Sequence, residues 1–259
     1  MDNNDKRIAV LIDADNVSDK YVKLIFDEIS NYGTPTYKRI YGDWTTTQNS
    51  SWKKVLLDYS IAPIQQYGYT KGKNSTDSAL IIDAMDILYS GNVDGFCIVS
   101  SDSDFTRLAA RLRESGMLVI GMGEQKTPAA FIAACEIFRY LEVLAQSTDE
   151  NTEAAAEETD KEEKAGPAKA NKQQLTRAIK AIVNDISDDD GWAFLGAVGN
   201  RLNKRYPDFD SRNYGYAKLT QLVEALKQFD IDTRKTANPH IKHKFIRNKQ
   251  DARQSKKTR

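Results

Sequence analysis

The stretch that decides the fold is RIAVLIDADN, residues 7–16. Residues 7–12 form a short run that is apolar from Ile8 onward, which is typical of a central parallel strand covered by helices on both faces. The run stops abruptly at Asp13, and Asp15 and Asn16 follow at once. The pattern predicts an α/β fold in which a buried strand delivers acidic side chains to one edge of a sheet.

Strands and helices alternate along the chain after this run. The clearest second strand is GFCIVS, residues 95–100, which is again fully apolar and is soon followed by an acid, Asp102. Such alternation predicts an open parallel sheet with helices on both faces. Further strands are predicted at residues 36–41, 61–64 and 117–121, and helices at residues 22–29, 52–59, 75–89, 105–112 and 128–144.

The charge distribution divides the chain, although its formal net charge is zero. Residues 1–146 contain 15 Lys/Arg and 19 Asp/Glu, residues 147–166 contain 2 and 8, and residues 167–259 contain 20 and 10. The basic C-terminal third is therefore expected to contact a polyanion, while the acids of the first part attract cations. A solvated basic tail is the alternative interpretation.

Length and composition predict two folded domains joined by a linker. The first domain covers residues 6–146. Residues 147–170 are rich in Glu and Ala and contain no aromatic side chain, so they are predicted to be a flexible acidic linker; an exposed helix at residues 153–164 is the alternative. Residues 171–247 form the second domain, and residues 248–259 form a basic tail.

The second domain is predicted to be a small helical unit with a wing. Apolar residues at helical spacing between residues 175 and 183 predict its first helix. The segment GWAFLGAVGNRL, residues 191–202, predicts a turn and a second helix, and KLTQLVEALKQF, residues 218–229, predicts a third. Residues 233–246 are predicted to form a β-hairpin. This order of elements is winged-helix-like.

Several classes of protein and of site are disfavoured. No apolar run approaches the roughly 20 residues that cross a bilayer, and the N-terminal MDNNDKR lacks the apolar stretch of a signal peptide, so no membrane association and a cytoplasmic location are expected. Cys97 and Cys135 have apolar neighbours and are predicted to be packed in the core. The two histidines, His240 and His243, lie far from the first domain, which disfavours serine–histidine or zinc–histidine chemistry there.

Acidic residues follow two of the predicted strands, at the edge where ligands bind in open α/β sheets. Converging carboxylates repel one another unless a cation lies between them. Magnesium is the expected cofactor, with manganese as the alternative, because hard divalent cations prefer oxygen ligands and are often completed by substrate phosphate. Helix capping is the competing explanation for single members such as Asp13 or Asp102. The candidates are Asp13, Asp15, Asp77, Asp102 and Asp104, whereas Asp83 and Asp86 are expected on the solvated side of their helix, with Asp83 as an outer candidate.

Four segments in this order resemble bacterial NYN domains, a branch of the PIN-like ribonuclease superfamily. They are IDADN (12–16), GKNSTDSALIIDAMD (72–86), SSDSDF (100–105) and TPAAFIAAC (127–135). The resemblance implies a PIN-like fold, hydrolysis of RNA phosphodiester bonds, and a metal-binding acidic quartet with an assisting amide. These catalytic residues would be Asp13, Asp77, Asp102 and Asp104, with Asn16 beside the metal.

The second domain resembles the OST-HTH/LOTUS module through residues 191–202 and 206–224. That resemblance implies RNA binding or docking of a protein partner. Basic side chains combined with aromatic ones suit phosphate neutralisation and base stacking, although Phe209, Tyr214 and Tyr216 equally suit a small core. The predicted RNA-binding residues are Lys204, Arg205, Arg212 and Lys218 in this domain, and Trp44, Lys71 and Lys73 in the first, where a packed indole and a solvated loop are the alternatives.

Together these features predict a metal-dependent endoribonuclease whose C-terminal module recruits RNA. Two alternatives stay open. A noncatalytic RNA-binding adaptor would use the same module without cleavage. A haloacid-dehalogenase-type phosphatase would phosphorylate one aspartate of the pair Asp13 and Asp15 and use the other as acid and base. The RNA target, the number of ions and the formation of a homodimer are not determined by the sequence.

Overall fold

The computed structural model describes residues 6–47, 49–67, 75–153, 168–235 and 242–249. The chain divides into two compact units, Met1–Thr152 and Glu153–Arg259. Most of the predicted acidic linker and the end of the basic tail lie outside the described residues. Within the described part, the helix that closes the first unit runs to Glu153, and the first helix of the second unit begins at Ala168.

The first unit is built on a parallel six-stranded sheet in the order β3-β2-β1-β4-β5-β6, which confirms the predicted open α/β architecture. The strands are β1 (Arg7–Asp13), β2 (Thr34–Gly42), β3 (Ala62–Gln65), β4 (Gly95–Val99), β5 (Leu118–Gly123) and β6 (Ile137–Tyr140). The helices are α1 (Val22–Ile29), α2 (Trp52–Asp58), α3 (Ser75–Ser90), α4 (Thr106–Glu114), α5 (Ala129–Ala134) and α6 (Leu141–Glu153).

Both faces of this sheet are covered, which explains why residues 8–12 of β1 and all of β4 are apolar. Alternate residues of β1, such as Ile8 and Val10, belong to a core shared with α1, α2 and α6. The residues between them, such as Ala9 and Leu11, belong to a second core shared with α3, α4 and α5. A strand buried on both faces cannot show the polar alternation of a half-exposed strand.

The strand order reverses between β1 and β4, and this reversal positions the candidate site. The chain runs outward from β1 through β2 to β3. The connection that contains α3 then returns it to β4, beside β1, and from there it continues outward in the other direction through β5 to β6. The connections that leave β1 and β4 therefore diverge in opposite directions. A crevice forms at such a point, outside the carboxyl ends of the two strands.

The single helix predicted at residues 128–144 is wrong. The segment forms α5, turns at the extended residue Cys135, pairs as β6 with β5, and re-enters a helix as α6. Gly121 on β5 permits this docking, because a Cβ there would lie 2.6 Å from Cys135 Sγ and from the Phe138 ring. Periodicity alone does not separate a four-residue strand from a buried helical segment, and pairing with β5 decides between them.

The second unit packs three helices against one face of a small antiparallel sheet, in agreement with the predicted small winged-helix-like domain. Two differences from the prediction concern its strands. A two-residue strand, β7, precedes the second helix, and the predicted hairpin begins earlier, at Phe229. Its elements are α7 (Ala168–Ile186), β7 (Ala193–Phe194), α8 (Leu195–Arg205), α9 (Leu219–Leu226), β8 (Phe229–Lys235) and β9 (Lys242–Asn248), with strand order β7-β9-β8.

Two further sequence expectations concern membranes and cysteines. No helix within the described residues has both the length and the apolar character needed to cross a bilayer. Cys97 and Cys135 are both buried free thiols, as predicted. Burial raises the pKa of each thiol, so both side chains act as small packing groups.

Candidate active site at the carboxyl ends of β1 and β4

Asp13 is the last residue of β1, and its side chain is completely buried. Its carboxylate accepts three hydrogen bonds, from the Asp15 backbone N–H at 3.0 Å, Asn16 Nδ2 at 2.8 Å and Ser100 Oγ at 2.8 Å. Burial raises the pKa of Asp13, and these hydrogen bonds oppose the rise because they stabilise the charged form. Asp13 is therefore a held, desolvated acid rather than a solvent-facing one.

Ser100 joins the ends of the two central strands. Its hydroxyl donates to Asp13 Oδ2 and accepts the Asp102 backbone N–H at 3.1 Å. The Asp102 carboxylate in turn accepts the Asp104 N–H at 2.9 Å and begins the short 3-10 helix that leads into α4. Ser100 was not predicted as a site residue. The position of Ser100 between an apolar strand and two aspartates could have indicated that it belongs to the site.

Asp77 reaches the same place from the first turn of α3. One carboxylate oxygen each from Asp77, Asp102 and Asp104 lies within 4.8 Å of the other two. The pKa of Asp77 is raised to about 6, first by partial burial and then by the negative charges of Asp13, Asp102, Asp104 and Asp15. The structure thus brings together three of the four predicted quartet members as possible ligands of one ion.

The fourth quartet member differs in its contacts. Asp13 is not among the three grouped oxygens, yet its charge raises the pKa of Asp77 more than the charge of Asp102 or Asp104 does. The Asn16 amide is used to hold Asp13, and Asp15 is exposed at the rim. Asp13 and Asn16 are therefore bonded to each other and stand outside the group of three carboxylates.

Asp83 does not lie on the solvated side of α3, where the sequence placed it. Its carboxylate accepts hydrogen bonds from the Arg39 guanidinium and the Tyr41 hydroxyl, both on β2. Only 20% of the Asp83 side chain is exposed. Asp86, by contrast, is exposed as predicted. The Asp83 contacts tie the helix that carries Asp77 to the sheet beneath it.

Of the three RNA-binding residues predicted in the first unit, only Trp44 is among the described residues. Trp44 is half-buried, its indole N–H donates to the Ile64 carbonyl at 3.1 Å, and its ring packs against the core shared with α1 and α2. These contacts favour the packing interpretation of Trp44. Lys71 and Lys73 lie outside the described residues.

The predicted basic residues of the second unit fall into two kinds. Lys204 and Arg205 end α8, and Lys218 precedes α9; all three are exposed. Arg212 is instead paired with Asp210, with Nη2 and Oδ2 2.6 Å apart, so its charge is balanced locally. Among the aromatic residues considered, Phe209 is buried in the helical core, and Tyr214 and Tyr216 pack partly buried against it.

Comparison with known families agrees with this arrangement. The NYN domain model matches residues 7–142, more than half of the chain, and the OST-HTH/LOTUS domain model matches residues 168–241. The chain belongs to the NYN domain family. The NYN domain of this protein is of nuclease type, in the ribonuclease superfamily, and its OST-HTH/LOTUS domain is an RNA-binding type of module.

Three solved structures of other proteins are similar to parts of this chain. A crystallised protein of unknown function from Vibrio parahaemolyticus is 18% identical, with 53% of this chain and 94% of that chain covered and a TM-score of 0.44. An uncharacterised protein from Nitrosomonas europaea is 37% identical, with 37% and 85% covered and a TM-score of 0.28. A protein from Chromobacterium violaceum is 33% identical, with 30% and 83% covered and a TM-score of 0.24. No curated protein matches the chain.

The donor set of the NYN site fits a divalent metal ion. All the grouped atoms are carboxylate oxygens, which are the ligands that magnesium and manganese prefer. The pKa of Asp77 is raised first by partial burial and then by the neighbouring carboxylates, and a bound cation would oppose both effects. Asp104 is exposed, so its carboxylate is accessible to solvent.

Proposed function

We propose that the protein is a metal-dependent endoribonuclease that hydrolyses RNA phosphodiester bonds at the carboxylate group formed by Asp77, Asp102 and Asp104. The observation that carries the proposal is the convergence of these three oxygens within 4.8 Å at the strand-order reversal of a nuclease-type domain. Magnesium is the proposed ion, and manganese the alternative.

The three grouped carboxylates would hold the ion. When bound, the cation offers positive charge to the phosphate oxygens and lowers the pKa of a water molecule. Asp102 is held in place because its backbone N–H is bonded to Ser100 and its carboxylate caps the following turn. The negative charge of the fully buried Asp13 raises the pKa of Asp77 and favours cation binding.

The OST-HTH/LOTUS domain is proposed to recruit the RNA, with protein docking as its alternative role. Residues 167–259 contain 20 Lys/Arg and 10 Asp/Glu, and Lys204, Arg205 and Lys218 are exposed. A tethered RNA-binding module raises the local concentration of substrate at the nuclease domain. A phosphatase mechanism with Asp13 as the nucleophile is disfavoured, because the buried and triply hydrogen-bonded Asp13 is poorly placed to attack a phosphate.

The test is cleavage of labelled single-stranded and structured RNA by the full chain with magnesium, with manganese and with chelator. Asp102→Asn removes one charged ligand but keeps an oxygen that can accept the Asp104 N–H, so the fold should survive. We expect metal-dependent cutting that falls by roughly 100-fold in this variant. The matched control is Asp86→Asn, an exposed acid on α3 that lies outside the grouped carboxylates.

The outcomes separate the proposals. Cutting that persists in chelator, or that survives in Asp102→Asn, would sink the carboxylate site. RNA binding by the folded protein without any cutting under all three conditions would instead establish the noncatalytic adaptor.

A further inference from the structure

The small sheet of the OST-HTH/LOTUS domain has two unlike faces. One face carries Ala193, Ile231 and Ile246, which belong to or pack against the helical core. Residues alternate between faces along a strand, so their neighbours point the other way. That outer face carries two phenylalanines, a histidine and two arginines, and a tryptophan precedes it. The members are Trp192, Phe194, Arg234, His243, Phe245 and Arg247, which are called the aromatic face below.

These side chains form a continuous series of ring and cation contacts. The Phe194 ring lies 4.9 Å from the His243 ring and 5.8 Å from the Phe245 ring, measured between centroids. The Arg234 guanidinium lies 4.3 Å from the Phe245 ring centroid and 5.6 Å from that of Trp192. Arg247 covers the Trp192 ring at 4.7 Å. Planar groups therefore extend across all three strands.

The core of the domain does not account for the aromatic face. Phe194, Phe245 and Trp192 are absent from the apolar cluster built by the helices, although Phe209, Tyr214 and Tyr216 contribute to it. Phe194 is 40% exposed and His243 is exposed. A row of half-covered rings beside cations is the arrangement that proteins use to stack unpaired nucleobases, because every base offers a planar π face.

The charged neighbours hold the row in place, and two of them, Asp230 and Asp232, are acids on the same outer face. Arg234 is paired with Asp232 at 3.0 Å, and Arg247 with Asp230 at 3.3 Å, so each guanidinium plane is oriented by a carboxylate on the same sheet. Lys242 and Lys249 are exposed at the two ends of β9. Because these carboxylates balance both arginines, phosphates that flank a stacked base would meet Lys249, whereas a duplex presents its bases already stacked and paired.

We infer that the aromatic face binds unpaired bases of single-stranded RNA, with Phe194 and His243 as the exposed stacking positions. The inference rests on the proposed function for the choice of RNA as ligand. It places base contacts on the outer face of the sheet and leaves the exposed cations of α8, Lys204 and Arg205, to contact phosphate.

The test compares binding of labelled single-stranded RNA, duplex RNA and an abasic ribose-phosphate strand of equal length to the full chain in chelator. Phe194→Leu keeps apolar area but removes the ring, and Phe194→Tyr keeps the ring. We expect Phe194→Leu to weaken binding of the single strand roughly tenfold. Binding of the abasic strand, and the slope of log affinity against log salt, should not change, because no phosphate contact is lost. Phe194→Tyr should bind like the wild type.

The controls separate failure of the inference from failure of the proposed function. Circular dichroism checks that each variant is folded. A wild-type chain that binds and cuts RNA, with Phe194→Leu binding equally well, would overturn the aromatic-face assignment alone and leave that surface to a protein partner. Equal affinity of the wild type for base-bearing and abasic strands would also overturn it. A wild-type chain that binds no RNA would overturn both.

Discussion

At the scale of single residues, the decisive feature is a set of acids that would repel one another without a cation. Asp77 has the clearest consequence, because its pKa of about 6 results from partial burial and four acidic neighbours. A carboxyl group whose pKa is higher in the folded protein binds its proton more tightly there. Its contribution to stability is therefore lost as the pH rises from the unfolded pKa through about 6.

Asp77→Asn should consequently stabilise the metal-free protein at pH 7, because it removes repulsion from the group. We expect its melting temperature in chelator to exceed that of the wild type by about 2 °C at pH 7, and the difference to shrink as the pH falls below 6. Thermal melts between pH 5 and pH 8 measure this, with exposed Asp86→Asn as the control on the same helix. A gain that does not depend on pH would contradict the electrostatic explanation.

Ser100→Ala tests the link between β1 and β4. The change removes a donor to Asp13 and an acceptor of the Asp102 N–H in a fully buried position. We expect a loss of about 1–2 kcal/mol in the free energy of unfolding and roughly tenfold weaker binding of manganese. Urea unfolding and calorimetric titration check the two effects. Exposed Ser103→Ala is the control; an equal loss there would show that the link is not specific.

At the scale of elements, α3 is the part that completes the site. It crosses the sheet between β3 and β4, begins beside the central strand ends with Asp77, and is tied to β2 through Asp83. The position of the Asp77 carboxylate therefore depends on contacts made about two turns further along the same helix.

Tyr41→Phe removes the hydroxyl that donates to Asp83 and keeps the buried ring. We expect a loss of about 1–2 kcal/mol in the free energy of unfolding, together with weaker metal binding because α3 is less firmly held. Urea unfolding and metal titration measure both. Tyr89→Phe, at a position 75% exposed on α3, is the control. Unchanged metal affinity in a destabilised Tyr41→Phe protein would show that Asp83 serves stability only.

At the scale of the whole molecule, charge is separated between the two units. The first 146 residues contain more acids than bases, whereas residues 167–259 contain twice as many bases as acids. An RNA-cutting chain with this separation would gain most of its substrate affinity from the C-terminal domain and its chemistry from the NYN domain.

Combined Lys204→Ala and Arg205→Ala substitutions should therefore raise the KM for RNA and leave kcat unchanged. Two lost phosphate contacts should lower the slope of log affinity against log salt by about 1 to 1.5. Steady-state cleavage and binding at several salt concentrations measure these effects. Lys53→Ala with Lys54→Ala, two adjacent exposed lysines on α2, is the matched control. A drop in kcat alone would argue against a recruiting role.

The sequence by itself determined the elements whose burial is visible in a short run of neighbouring residues. Residues 8–12 and 95–99 are apolar at every position because both of their faces are covered, a pattern that is typical of central parallel strands. The acids that follow them were then expected at one edge of the sheet. Asp77, Asp102 and Asp104 were predicted as site residues, and the structure brings their carboxylates together.

Only the tertiary structure decided the features that depend on partners distant in sequence. Residues 137–140 form the strand β6 because they pair with the edge of β5, although the residues that flank β6 favour helix. Asp83 turned toward β2, Ser100 joined two strand ends, and Phe194 was left on the outer face of a sheet completed by β9. Periodicity reports which side of an element avoids water, but the partner that covers that side, or leaves it open, is set by packing between elements far apart in the chain.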